Sequence, residues 1–221
     1  MVVGDLHAPA THPRYMDFIQ DVYEEWDCNR VVLIGDVVDH HSISFHDMEL
    51  DADNVFGESE AAIEQVSVWH ALFPKADVCI GNHDERVIRK ASTVGIPEVM
   101  LRPYSDLWKT PGWNWDYEHV IDDVAYVHGT GLSGERPAYL MAKENNQSTV
   151  LGHCHTVGGI SWIARPNSKV FGLSVGCGID PKHPAMRYSR KWVKRPVLGC
   201  GVVIDGTPYF EPMDHRNQYK R

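Results

Sequence analysis

The chain has 221 residues, 43% of them hydrophobic and 23% charged, which is the balance of a soluble globular protein able to fill one sizeable core. Its formal net charge of −9 argues against a protein that coats nucleic acid nonspecifically. No apolar run approaches bilayer-spanning length and no basic-then-apolar leader opens the chain, so a cytoplasmic protein without membrane contact is expected.

Val2 and Val3 alone precede the first polar cluster, so the opening strand is very short. Over residues 12–27, Tyr15, Phe18, Ile19, Val22 and Trp26 share one helical face, with Pro13 near the start. This predicts a crossover helix leading to a strand over 31–34. A right-handed crossover carries Asp36 to the same sheet edge as Asp5. Residues 40–54 are polar without a period and read as a loop beside that edge. Ala62, Ile63, Val66, Trp69 and Leu72 predict a second helix over 55–73, stopped by Pro74, and a strand follows over 77–80.

Helices are then expected over 85–92 and 97–107. Residues 104–117 are rich in aromatics (Trp108, Trp113, Trp115), which suit core or lid packing, with a substrate-stacking surface as the alternative. Beyond them, runs at 119–127, 148–151, 157–164, 169–176, 197–204 and 207–211 read as strands, with one helix over 137–145. The first half alternates strand and helix and the second is mostly strand. Two packed sheets with helices outside account for both halves within one domain spanning 1–221. Five cysteines, at 28, 79, 154, 177 and 200, are scattered and mostly within apolar runs, as reduced buried thiols would be.

Five of the apolar runs end in metal-ligand chemistry. Asp5-Leu6-His7 closes the first, and Gly35-Asp36-Val37-Val38-Asp39 closes Val31 to Ile34. Gly81-Asn82-His83-Asp84 follows Val78-Cys79-Ile80, His128 follows Val124 to Val127, and Gly152-His153-Cys154-His155 follows Thr149 to Leu151. Buried strands ending together deliver carboxylate, imidazole and amide groups to one edge of an α/β scaffold. Alternation along an extended segment would turn Cys154 away from its two histidine neighbours. A lone histidine at a strand end is more often an ordinary polar residue than a ligand, so His128 gains its ligand reading only from the set.

The set resembles the calcineurin-like metallophosphoesterase superfamily, whose motifs run D-x-H, G-D-x-x-D, G-N-H-[DE], H and G-H-x-H. All five stand in that order between residues 5 and 155, and the last third of the chain carries none. The resemblance implies a four-layer α/β/β/α sandwich of two mixed β-sheets flanked by helices, built around two divalent transition metal ions. Asp36 would bridge them. One ion would be held by Asp5, His7, Asp36 and His155, the other by Asp36, Asn82, His128 and His153. Oxygen and nitrogen donors without thiolate suit manganese, iron or zinc without choosing among them; the resemblance puts manganese first, with iron, zinc or nickel open. In the family such ions, about 3.5–4 Å apart, share a hydroxide poised for attack on phosphorus. The resemblance makes His83 the assisting catalyst, with Asp84 holding its ring and Asp39 orienting ligands from outside, while capping of their loops is the plainer alternative for both carboxylates.

The implied activity is hydrolysis of a phosphate mono- or diester, with a nucleotide or nucleic acid as a candidate substrate. Arg187, Arg190, Lys191, Lys194 and Arg195, interleaved with Tyr188 and Trp192, would suit a nuclease, although a solvated edge is the plainer reading. The protein-phosphatase branch carries arginine after its second motif, as G-D-x-x-D-R-G. Here His40-His41 stand there, which disfavours that substrate class. A binding scaffold with a dead site would show a lost ligand, and every ligand is in place. His40, His41 and His46 fit a solvated loop, with contact to substrate as the alternative. His12, His70, His119, His183 and His215 carry no more than ordinary polar roles.

Overall fold

Side chains alternate along the short central strands, and that alternation builds the layers. In the computed structural model, which describes residues 1–44, 54–186 and 194–213, Val2 points into one apolar cluster and Val3 into another. Leu33 repeats the choice of Val3, while Val32 and Ile34 repeat that of Val2.

One sheet has the order β11-β10-β1-β2-β3-β4. Its strands are β1 (Val2–Val3), β2 (Val32–Leu33), β3 (Ala76–Cys79), β4 (Trp113–Asp116), β10 (Gly199–Ile204) and β11 (Thr207–Pro212). The run β1 to β4 is parallel, and β10 joins β1 antiparallel. The second sheet has the order β5-β6-β7-β9-β8. It comprises β5 (Glu118–Ile121), β6 (Val124–Val127), β7 (Ser148–Leu151), β8 (Gly158–Arg165) and β9 (Ser168–Val175). Here β6, β7 and β9 run parallel, with antiparallel strands at both edges.

Val2, Val32, Ile34 and Cys79 of the first sheet meet Val124, Tyr126, Val150, Phe171 and Leu173 of the second. On the outer face of the first sheet lie helices α1 (Tyr15–Glu25) and α2 (Val55–Leu72), burying Tyr15, Ile19, Val66 and Trp69. Each such side chain contributes about 1.5–3 kcal/mol when fully buried. Helix α5 (Pro137–Asn145) covers the second sheet through Ala138 against Val127 and Leu151. The four layers implied by the motifs are the four layers observed. Tyr15 also clamps the seam: its hydroxyl donates to the Gly199 carbonyl (2.6 Å) and accepts the Gly4 amide (3.0 Å).

Two expectations are corrected. The helix expected over 97–107 is a 3-10 turn (Glu98–Met100) and a separate α4 (Tyr104–Leu107). Pro103 lacks an amide proton and forces Arg102 out of helical backbone, so the two cannot fuse. The single strand expected over 119–127 is the hairpin β5–β6, reversed at Asp122 and Asp123, both at positive φ. Strand β4 was not anticipated. The aromatic stretch takes the core option, with Trp108 and Trp113 buried and Tyr104 and Trp115 packed beside them. Between β3 and α4 lies α3 (Arg86–Thr93). Among the described residues no helix is long and apolar enough to cross a membrane.

Candidate metal centre

Parallel strands end at the same edge, so the loops after β1, β2 and β3 converge, and those after β6 and β7 meet them from the second sheet. Four residues in these loops hold left-handed backbone without being glycine: His7 (φ 52°), Asp36 (φ 48°), His40 (φ 50°) and His153 (φ 60°). Each costs on the order of 1–3 kcal/mol and persists only where neighbours over-determine it. They do so here. The His7 amide donates to the Asp36 carbonyl (2.8 Å), the His83 amide to Asp36 Oδ1 (2.7 Å) and the His153 amide to Asp5 Oδ2 (2.9 Å).

Three groups of donors result, and Asp36 belongs to two of them; the third, His7, Asp39 and His83, lies beside the first and shares His7 with it. In the first, His155 Nε2 lies 3.0 Å from Asp5 Oδ2 and 3.1 Å from His7 Nε2, which is 3.5 Å from Asp36 Oδ2. In the second, His128 Nε2 lies 3.2 Å from Asp36 Oδ2, 3.1 Å from Asn82 Oδ1 and 3.2 Å from His153 Nδ1. Ring nitrogens and carboxylate oxygens thus converge at short range. Asp5 Oδ1 is buried with no hydrogen-bond partner, a state that costs free energy unless something cationic meets it. The donor set and this orphaned oxygen fit divalent ions. Two glycines keep the room clear: a Cβ on Gly152 would stand 2.1 Å from Asp5 Oδ1, and one on Gly81 2.2 Å from Asp36 Oδ1.

Neighbouring groups aim the rings. His7 Nδ1 faces Asp39 Oδ1 at 2.7 Å, and His128 Nδ1 donates to the Ile34 carbonyl at 3.0 Å, which turns each Nε2 inward. His83 stands beside the centre, its Nε2 3.9 Å from Asp36 Oδ2. Its Nδ1 lies 2.7 Å from the Asp39 carbonyl and 3.0 Å from Asp39 Oδ1. Asp84 sits elsewhere than the motif resemblance puts it. Its carboxylate accepts the amides of Gly81 (2.8 Å) and Val38 (3.2 Å), so it ties two loops together while Asp39 holds the His83 ring.

A profile of calcineurin-like phosphoesterases matches residues 1–175. The chain belongs to that family. Among solved structures, Vacuolar Protein Sorting 29 from Cryptosporidium parvum is similar over 96% of this chain and 94% of its own, at 12% identity and a TM-score of 0.45. A putative diadenosine tetraphosphatase is similar over 96% of this chain and 91% of its own, at 15% identity and a TM-score of 0.44. Curated protein sequences give no match.

Within this family member's site, neighbouring charges govern one another. Burial works against ionisation of Asp36, but His128, His83 and His7 outweigh it and hold the carboxyl well below its usual range. Burial likewise opposes a charge on His128, yet Asp36 lifts it to about 10. Asp84 is pushed up to about 7 by burial and then by the charge of Asp36. Burial pushes His7 and His153 down, toward the neutral ring a metal ligand needs.

Reading the residues in order missed two contributors. Arg86 places Nη2 3.1 Å from His83 Nε2 and donates through Nη1 to the carbonyls of Asp39 (2.7 Å) and His40 (3.0 Å). A lone arginine at a helix start resembles any solvated side chain, and only its place three residues after His83 hinted at contact. Glu58 of α2 is buried and accepts the amides of His41 (2.5 Å) and Ser42 (2.8 Å) and the Ser42 hydroxyl, pinning the loop after Asp39. His40 is buried, with Nδ1 2.9 Å from the His83 carbonyl, and is no part of a solvated loop. Lys194 lines the metal cleft, about 410 Å³, with Asn82, His83 and His155. Cys154 lines it too, its thiol turned onto the Leu132 carbonyl (3.7 Å). His46, Arg187, Tyr188, Arg190, Lys191, Trp192 and His215 lie outside the described residues.

Proposed function

We propose that this chain is a two-metal phosphoesterase that hydrolyses a phosphate mono- or diester. The observation that supports it best is the carboxylate of Asp36, common to two separate donor groups. Asp5, His7, Asp36 and His155 would hold one divalent ion, and Asp36, Asn82, His128 and His153 the other. Manganese is proposed on the family resemblance, with iron, zinc or nickel as alternatives that this oxygen and nitrogen set also suits. When bound, two such ions activate water and offset charge on the phosphoryl oxygens.

The remaining work falls to side chains. His83 would sit beside the phosphate, with Nδ1 fixed by Asp39; its Nε2, 3.1 Å from Arg86 Nη2, would bind a phosphoryl oxygen or pass a proton to the departing one once the guanidinium gives way. Arg86 restrains that ring from the other side, and Lys194 adds a cation to the cleft wall. Positive charge from Lys194 on the wall and from Arg86 behind His83 suits an anionic ester in a protein whose net charge is −9. The test is elemental analysis beside a panel of monoesters, diesters and polynucleotides. Two transition metal ions per chain and hydrolysis of at least one ester class are expected. Purified protein that takes up no transition metal would sink the reading.

A further inference from the structure

A second cavity, about 400 Å³, shares His128 with the metal centre and Leu132 with the metal cleft. That volume lies within the range of small-molecule pockets. Ile80 and Val127, at the ends of β3 and β6, contribute from the same edge that delivers Asn82 and His128. Leu140, Met141 and Glu144 of α5 form another wall. Tyr117 completes the lining, its ring fixed by a hydroxyl that donates to Glu85 Oε1 at 2.8 Å.

Two of these side chains are unusual. Tyr117 is 53% exposed and Leu140 46% exposed, although both are large and apolar. Exposed apolar residues scattered singly carry no message. These two line one cavity beside a reactive centre. The metal cleft next door presents the Asp36 carboxylate, three imidazoles and Lys194, so across the two spaces the ionisable groups gather at one end and the large apolar side chains at the other. A molecule with a phosphate at one end and a flat ring at the other complements both.

We infer that this cavity is the subsite for the esterified group, taking a planar, largely apolar ring attached to the phosphate. The ring could come from an aryl ester or from a nucleobase; Glu144 would accept from an amino or hydroxyl group in the second case. The inference rests on the phosphoesterase reading and narrows its substrate to ring-bearing esters. Shielding about 100 Å² of ring from water corresponds to a roughly 10–100-fold preference over a small alkyl group.

Non-hydrolysable phosphonates separate this inference from the reading beneath it. Manganese-loaded protein would be titrated calorimetrically with ethylphosphonate, benzylphosphonate and the phosphonate analogue of adenosine 5′-monophosphate. At least one ring compound should bind about 10-fold or more tightly than ethylphosphonate, and Leu140→Asp should bring the ratio to within about threefold of unity. Leu140→Trp, which fills the mouth instead of charging it, should do the same, and circular dichroism checks that each variant folds. The better of the two ring ligands identifies the source. Equal binding of ethyl and ring phosphonates by wild type overturns the subsite, as does a ring preference kept by both folded variants. Parallel assays with 4-nitrophenyl phosphate tell the two failures apart. Ring preference without hydrolysis defeats only the phosphoesterase reading, and hydrolysis without ring preference defeats only the subsite.

Discussion

Asp39 Oδ1 lies 3.0 Å from Nδ1 of His83, and the same oxygen lies 2.7 Å from Nδ1 of His7. One carboxylate therefore sets both a candidate metal ligand and the ring beside the centre. Asp39→Asn should lower turnover by about 10–100-fold, the usual cost of losing a ligand-orienting partner. Asp84→Asn should act differently, because its oxygens serve two backbone amides. It should cost about 1–3 kcal/mol of stability by leaving one amide opposed to a donor, with a smaller effect on turnover. Rate assays and melting temperatures on the two variants decide; a larger rate loss for Asp84→Asn would return the ring-holding role to that residue.

Asp36→Asn should reduce occupancy of both metal sites, because its carboxylate stands in both donor groups. His155→Gln should mainly affect the group it shares with Asp5 and His7. Elemental analysis of the two purified variants checks this. Loss of a single ion from Asp36→Asn would show that the carboxylate is terminal and bridges nothing.

His83→Gln should leave metal content intact and reduce hydrolysis by roughly 10²–10⁴-fold if the ring passes a proton to the leaving oxygen. The reduction should shrink for a 4-nitrophenyl ester, whose leaving group hardly needs protonation. A loss of equal size for good and poor leaving groups would assign the ring to phosphate binding alone.

Gly152→Ala probes the room around Asp5. The added methyl would stand 2.1 Å from Asp5 Oδ1 and 2.5 Å from a side-chain methyl of Ile34, so the carboxylate must turn away. Metal content should fall while the circular dichroism spectrum keeps its shape. Full occupancy in a folded variant would show that Oδ1 is not a ligand.

The strands that deliver the site are legible because each is a β-branched run stopped by a turn or a polar cluster, and Val31 to Gly35 is the plainest case. Strand β4 is not, since Trp113-Asn114-Trp115-Asp116 lacks β-branched residues and owes its conformation to pairing with β3. The donors are legible for the same reason as the strands: they occupy fixed offsets after them. The partner of His83 is not. Asp84 is adjacent in sequence and Asp39 is 44 residues away, yet the fold brings Asp39 to the ring. Chain order holds no distance information across a crossover. Glu58 and Arg86 escaped for that reason as well, each binding a loop that approaches from another element.

The strand that precedes Asp5 is flanked on one side by β10, with Val2 opposite Gly201 and Val3 opposite Cys200. These late residues lie beyond the 175 that carry the family profile. Synthesis therefore produces the first ligand well before its supporting neighbour. Until residue 204 has left the ribosome, β1 has an open flank with unpaired backbone groups, a template for a wrong partner. A nascent chain arrested near residue 175 should stay protease-sensitive around Asp5 and gain protection once β10 emerges, with early protection the contrary result. The apparent appendage after the last motif is then what closes the sheet beside the metal-binding edge, and maturation of the centre waits for β10 rather than for the last ligand.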